Sequence, residues 1–171
     1  MRQIAIPGRL MVAALIVGVL TVSAGASHTG LLFGAPNRVV ITMSEYKFTP
    51  SRVTVEAGTA VDLILDNRGS LSHYFSVYTK PAAPFKGISD WHEYLLAKTY
   101  LQDMGEILVH QRNADFYAVG GRITEVGVEP GKQVTLTFTP IRRGTFEFGC
   151  HLSVAGSSHY TAGMKGILIV K

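Results

Sequence analysis

The feature that most constrains this chain is hydrophobic alternation at period two, recurring in short segments separated by turn clusters. Val53 and Val55 alternate with polar neighbours; Val61, Leu63 and Leu65 alternate with Asp62 and Ile64; His73, Phe75 and Val77 follow. The same pattern returns as Val134, Leu136 and Phe138, then as Phe146, Phe148 and Cys150. Alternate side chains of a strand share one face, so each segment reads as a strand with one side in a core. Between them lie Glu56-Ala57-Gly58-Thr59, Asp66-Asn67-Arg68-Gly69, Glu129-Pro130-Gly131-Lys132 and Arg143-Gly144, all of turn composition. Val39 to Met43 forms a further strand, and Gly166 to Val170 a buried closing one. Short strands at this spacing predict an all-β sandwich or barrel.

One region breaks the pattern. From Ser89, the residues Trp91, Tyr94, Leu95, Lys98 and Leu101 fit a short amphipathic helix capped by Ser89 or Asp90 and ended by Gly105. Residues 81–127 therefore read as an insertion between strands, helical first, with a short strand at Phe116 to Val119. Trp91 and Tyr94 fall on the core-facing stripe of that helix. The insertion is expected either to cover one flank of the barrel or to dock a partner.

The N-terminus carries Arg2 and Arg9, an apolar run from Leu10 to Val22, and small residues ending Ala24-Gly25-Ala26. This is the order of a secretory signal peptide cleaved before Ser27. Leu31, Leu32 and Phe33 prolong the apolar character, which also fits a retained membrane anchor. Either way the protein is expected to be exported, periplasmic or on the outer face of the cytoplasmic membrane. Residues 1–26 form this segment, 27–37 a linker, and 38–171 one domain, long enough to bury a core. Without Arg2 and Arg9, 14 basic residues face 12 acidic ones. That balance excludes a nucleic-acid-binding surface and leaves a mildly basic face suited to an acidic redox partner.

Cys150 is the only cysteine, so no intramolecular disulfide can form. It follows Phe146 and Phe148 on the core side of a strand, where a loop begins, so the thiol is presented to a sheltered pocket. His159 and Met164 lie in that loop, and His73 sits at another strand end. A thiolate, two imidazoles and a weak thioether form the ligand set of a blue-copper site: soft sulfur suits Cu(I), and nitrogen serves either oxidation state. Taken singly, a cysteine or methionine is usually core filling and a histidine usually a surface residue; the joint order Cys, His, Met with an upstream His carries the argument. His151 competes with His159, but adjacent residues on an extended chain point to opposite sides, so His151 is expected to face away from a metal. Asn67 is expected either to shape a turn or to tie the His73 loop to the Cys150 loop, orienting the ligands. His28, His92 and His110 lack ligand-like spacing and read as surface residues.

These segments resemble the cupredoxin family, in particular small bacterial blue-copper proteins of the plastocyanin and azurin type. The likeness rests on Tyr46-Lys47-Phe48-Thr49-Pro50, on Asn67 ahead of His73-Tyr74-Phe75, on Gly144-Thr145-Phe146-Glu147-Phe148-Gly149-Cys150-His151, and on His159-Tyr160-Thr161-Ala162-Gly163-Met164-Lys165-Gly166. It covers most of 38–80 and 124–171. The resemblance implies a Greek-key sandwich or barrel holding one copper ion, with His73 and His159 as imidazole ligands, Cys150 as thiolate and Met164 as axial thioether. One departure stands out: eight residues, His151 to Ser158, separate Cys150 from His159, where family loops place two to four. The extra small residues are expected to bulge outward without moving His159.

The resemblance further implies a monomeric one-electron carrier, not an enzyme, whose copper lies near the surface and exchanges electrons with soluble or membrane-bound redox proteins such as respiratory complexes or cytochromes. Multicopper enzymes need further histidine sites, and the chain has no His-x-His pair. A binuclear copper centre needs two cysteines. Copper storage or delivery commonly uses Met- or His-rich tracts, which are absent. The alternatives to a carrier are a cupredoxin fold used for copper handling or a metal-free one acting as an interaction module.

Overall fold

The computed structural model describes residues 35–83, 88–102, 108–110, 114–119 and 122–171. The export segment 1–26, His28 and Gly105 lie outside the described residues. The first strand, β1 (Asn37–Ser44), begins at the last residue assigned to the linker. It is followed by β2 (Lys47–Thr49), β3 (Arg52–Val55), β4 (Val61–Asn67) and β5 (His73–Tyr78). A helix α1 (Ile88–Lys98) and a 3-10 turn (Tyr100–Gln102) come next, then β6 (Leu108–His110), β7 (Ala114–Val119) and β8 (Arg122–Val128). The chain continues through β9 (Gln133–Phe138), β10 (Gly144–Gly149), the short pair β11 (Ser153–Val154) and β12 (Ser157–Ser158), and β13 (Lys165–Val170).

Two sheets form from these strands, in the orders β2-β1-β4-β9-β6 and β3-β13-β10-β5-β8-β7, while β11 and β12 pair only with each other. Most neighbours are antiparallel; β1 with β4 and β3 with β13 are parallel. The alternating residues do what their period predicts. Val53 and Val55, Val61, Leu63 and Leu65, and Val134, Leu136 and Phe138 are all buried in one cluster with Phe75, Val77, Phe146 and Phe148. At its centre Phe48 meets Phe75 and Phe148 edge to face, with ring centroids 5.9 and 5.2 Å apart. Each such buried ring contributes on the order of 2–3 kcal/mol.

The insertion differs from its sequence reading in two respects. The helix starts at Ile88, so Ser89 and Asp90 belong to its first turn and not to its cap. It also stops at Lys98, because Thr99 leaves the helical path to bridge Tyr78 and hydrogen-bond the Val77 carbonyl through its hydroxyl at 3.3 Å. Beyond the helix the segment is not an appendage: β6 extends the first sheet beside β9, and β7 and β8 extend the second beside β5. The strand expected at Phe116 to Val119 is β7. Helix α1 covers the outer face of β5, where Trp91 and Leu95 bury Tyr78. Both faces of β5 are consequently buried, which one-sided alternation does not predict.

Candidate metal centre

Strand ends place the candidate ligands. His73 opens β5, Cys150 follows β10 and Met164 precedes β13, and these three strands are neighbours in one sheet. His159 comes from the loop between β12 and β13. The ligand atoms of His73, Cys150 and His159 all lie within 4.8 Å of one another. The two histidines face each other Nδ1 to Nδ1 at 3.2 Å, and the Cys150 Sγ lies 3.4 Å from His159 Nδ1. Met164 is fully buried in the same cluster as Cys150.

Backbone hydrogen bonds knit this end of the sheet together. Cys150 N donates to the Met164 carbonyl at 3.1 Å, and Met164 N donates to the His159 carbonyl at 2.9 Å. The cysteine sulfur accepts the Tyr74 backbone N–H at 3.2 Å, and a second N–H from Leu152. The residue after one histidine thus supports the sulfur, a role no side-chain motif reveals.

The chemistry of the donors fits a metal. Burial pushes the Cys150 thiol up to about 11, against the pull of the Tyr74 and Leu152 N–H groups. Burial and then the neighbouring His159 hold His73 down at about 4, and burial lowers His159 as well. Two neutral imidazoles and a thiol therefore converge, and the Nε2 atoms of both histidines are buried without a hydrogen-bond partner. Buried polar atoms normally find partners. A cation held between the facing Nδ1 atoms and the sulfur would take the inward lone pairs and convert the thiol to thiolate, while the unpartnered Nε2 atoms lie on the outer side of the rings. The set of soft sulfur and imidazole donors is one that copper favours.

The eight-residue stretch after Cys150 is a miniature hairpin. Ala155 and Gly156 both take positive φ, 51° and 84°, which a two-residue turn between β11 and β12 requires. At its neck His159 N donates to the Leu152 carbonyl at 2.9 Å. Residues 153–157 are exposed, so the extra residues project outward while His159 remains at the centre.

His151 points away from the ligand cluster, as adjacency on an extended chain requires. Its ring stacks on Trp91 at 3.3 Å and on Tyr160 at 4.5 Å between centroids, and its Nε2 meets the Tyr78 hydroxyl at 3.0 Å. Asn67 is fully buried and donates to the Leu71 and Val128 carbonyls at 2.8 Å, while its Oδ1 accepts the Gly69 N–H at 2.9 Å. It braces the loop before His73, but against the end of β8; the expected tie to the Cys150 loop is replaced because β8 is the strand that pairs with His73. His159 is only 1% exposed, and the ring of Tyr46, itself 43% exposed, stands edge-on to it at 5.1 Å. Tyr46 as a cover for the histidine was not legible in the sequence, since a turn residue distant in the chain carries no such signal.

No family model matches the sequence. The chain is 31% identical to the copper-resistant cuproprotein CopI of Pseudomonas aeruginosa, over 96% of this chain and 98% of that protein. Among solved structures it is similar to the dithionite-reduced auracyanin of Roseiflexus castenholzii, at 21% identity and a TM-score of 0.52, covering 81% of this chain and 99% of that one. The fold, the His–Cys–His centre and the full-length relative agree: the chain is a cupredoxin and belongs to the family of CopI.

Proposed function

We propose that this protein is an exported cupredoxin that holds one copper ion in a type 1 site of His73, Cys150, His159 and Met164 and carries single electrons. The observation that carries this reading is the buried convergence of the Cys150 sulfur and both histidine Nδ1 atoms. When bound, copper supplies a one-electron couple between Cu(I) and Cu(II). The chain's own residues set the conditions for it. The Tyr74 and Leu152 N–H groups stabilise negative charge on sulfur, and the backbone bonds among Cys150, His159 and Met164 hold the donors in place with or without metal. A donor set assembled in advance needs little rearrangement when its charge changes, which favours rapid exchange. In this reading the protein is a carrier and not an enzyme, working as a monomer outside the cytoplasm with respiratory complexes or cytochromes as partners.

Copper handling is the second reading, favoured by the name of the full-length relative, which ties that protein to copper resistance. The two differ in whether the ion stays. The copper-loaded protein should pass through repeated cycles of ascorbate reduction and ferricyanide oxidation while keeping its ion. In the Cu(I) state it should lose copper slowly to bathocuproine disulfonate. Rapid loss to that chelator would favour handling over electron carriage.

A further inference from the structure

The outer face of the second sheet carries a cluster that the ligand set does not use. Glu147 in β10 lies opposite Tyr78 in β5 and accepts the hydroxyl protons of Tyr78 at 3.0 Å and Tyr160 at 2.8 Å. Above it the rings of Trp91, His151 and Tyr160 form one continuous stack. Gly149 is the floor: a Cβ there would lie 2.9 Å from both the Tyr160 ring and the Tyr78 hydroxyl, and 3.1 Å from His151 Nε2. Helix α1, from the insertion, supplies Trp91 and so clamps His151 from the side opposite Tyr160.

This stack touches the metal centre at two points. His151 is bonded to Cys150, and Tyr160 is bonded to His159. One path runs through the peptide bond from His159 to Tyr160, and the other from Cys150 to His151 and then through space across the 4.5 Å ring stack, so both end on the Tyr160 ring, which is partly exposed. Two cations rim it: Lys165 Nζ lies 4.7 Å over the ring, and Lys80 Nζ, on a side chain 69% exposed, lies 4.0 Å from Glu147. The other approach, over His159, is covered by Tyr46.

We propose that Tyr160, stacked on His151 and rimmed by Lys80 and Lys165, is the face through which the copper centre exchanges electrons with an acidic one-electron redox protein. The inference rests on the redox reading of the site. One electron leaves the reduced centre, Cu(I) becoming Cu(II), and the acceptor gains it; no bond forms or breaks and no proton moves. The lysines draw the partner by charge complementarity, and the stack shortens the gap between its cofactor and the ligands.

Two measurements test this. In the metal-free protein, titration with oligoglutamate should shift the NMR signals of Lys80, Lys165 and Tyr160 in preference to those around Tyr46 and Val154. In the Cu(I) protein, oxidation by anionic ferricyanide should slow about tenfold or more when Lys80 and Lys165 are both changed to Glu, whereas cationic tris(phenanthroline)cobalt(III) should react faster. Tyr160→Leu should slow both oxidants, Tyr160→Phe should keep most of the rate because the ring remains, and Ile141→Ser, on a distant loop, should change nothing. If every variant keeps the blue band and ferricyanide rates ignore Tyr160 and the lysines, or if oligoglutamate shifts the Tyr46 side, the port lies elsewhere and the inference fails. Absence of a blue band in the unsubstituted protein would instead overturn the copper reading, and the port with it.

Discussion

At the residue scale, protons report on the ligands. Cys150 is held as a thiol near neutral pH and His73 is already neutral there. Copper binding at pH 7.5 should therefore release about one proton per ion, from Cys150, measurable in weakly buffered solution. Release of none would exclude the cysteine as a ligand. The histidines set the acid limit of the metal-free protein. His73 has its folded value near 4, below the ordinary 6.5, and His151 lies near 3 because it is buried. Between those values the unfolded chain binds protons that the folded chain cannot, so stability falls as pH drops from 6.5 toward 4. Denaturant midpoints of the metal-free protein should decline across that window and stay level from pH 7 to 8. Asn67 carries a structural prediction. Replacing it with Ala strands the Leu71 and Val128 carbonyls and should cost about 2–4 kcal/mol by denaturant unfolding. Of the candidate cluster, Cys150 and His73 were legible because strand alternation aims side chains, and His159 from its place after Cys150 in the segment that carries the family resemblance. The Tyr74 and Leu152 N–H groups were not, since backbone donors leave no mark on side-chain pattern.

At the scale of elements, the hairpin between Cys150 and His159 shows how a loop can lengthen without disturbing the residues it joins. Its neck is closed by the His159 to Leu152 hydrogen bond, so the centre does not depend on what projects beyond it. Replacing residues 153–157 by a short Asn-Gly turn, which keeps Ser158 and its hydrogen bonds to Thr161 and Ala162, should preserve the copper spectrum and change stability by less than about 1 kcal/mol. Loss of the spectrum would mean that the hairpin itself shapes the site. Helix α1 makes the opposite case. Its existence was legible from Trp91, Tyr94 and Leu95 at helical spacing, but its ends were not. Thr99 is drawn off by Tyr78 and Val77, a tertiary pairing that local propensity cannot express. Nor could the pattern show that Trp91 would land on His151, sixty residues away in the chain.

For the whole molecule, the all-β architecture was legible because five segments alternate cleanly between recognisable turns. The topology was not: the parallel pairings of β1 with β4 and β3 with β13 are chosen by global packing, as is the use of β6, β7 and β8 to widen both sheets. The result gathers three strand ends of one sheet around a buried cluster of donor atoms and leaves the electrostatic rim at the side. The central claim is that this cluster binds copper through the Cys150 sulfur. It is tested most directly by the visible absorption and electron paramagnetic resonance of the Cu(II)-loaded protein beside Cys150→Ser. The account predicts an intense blue charge-transfer band with narrow copper hyperfine splitting, both lost in the variant. A folded protein that binds copper without that band, or a band that survives loss of the cysteine, would contradict it.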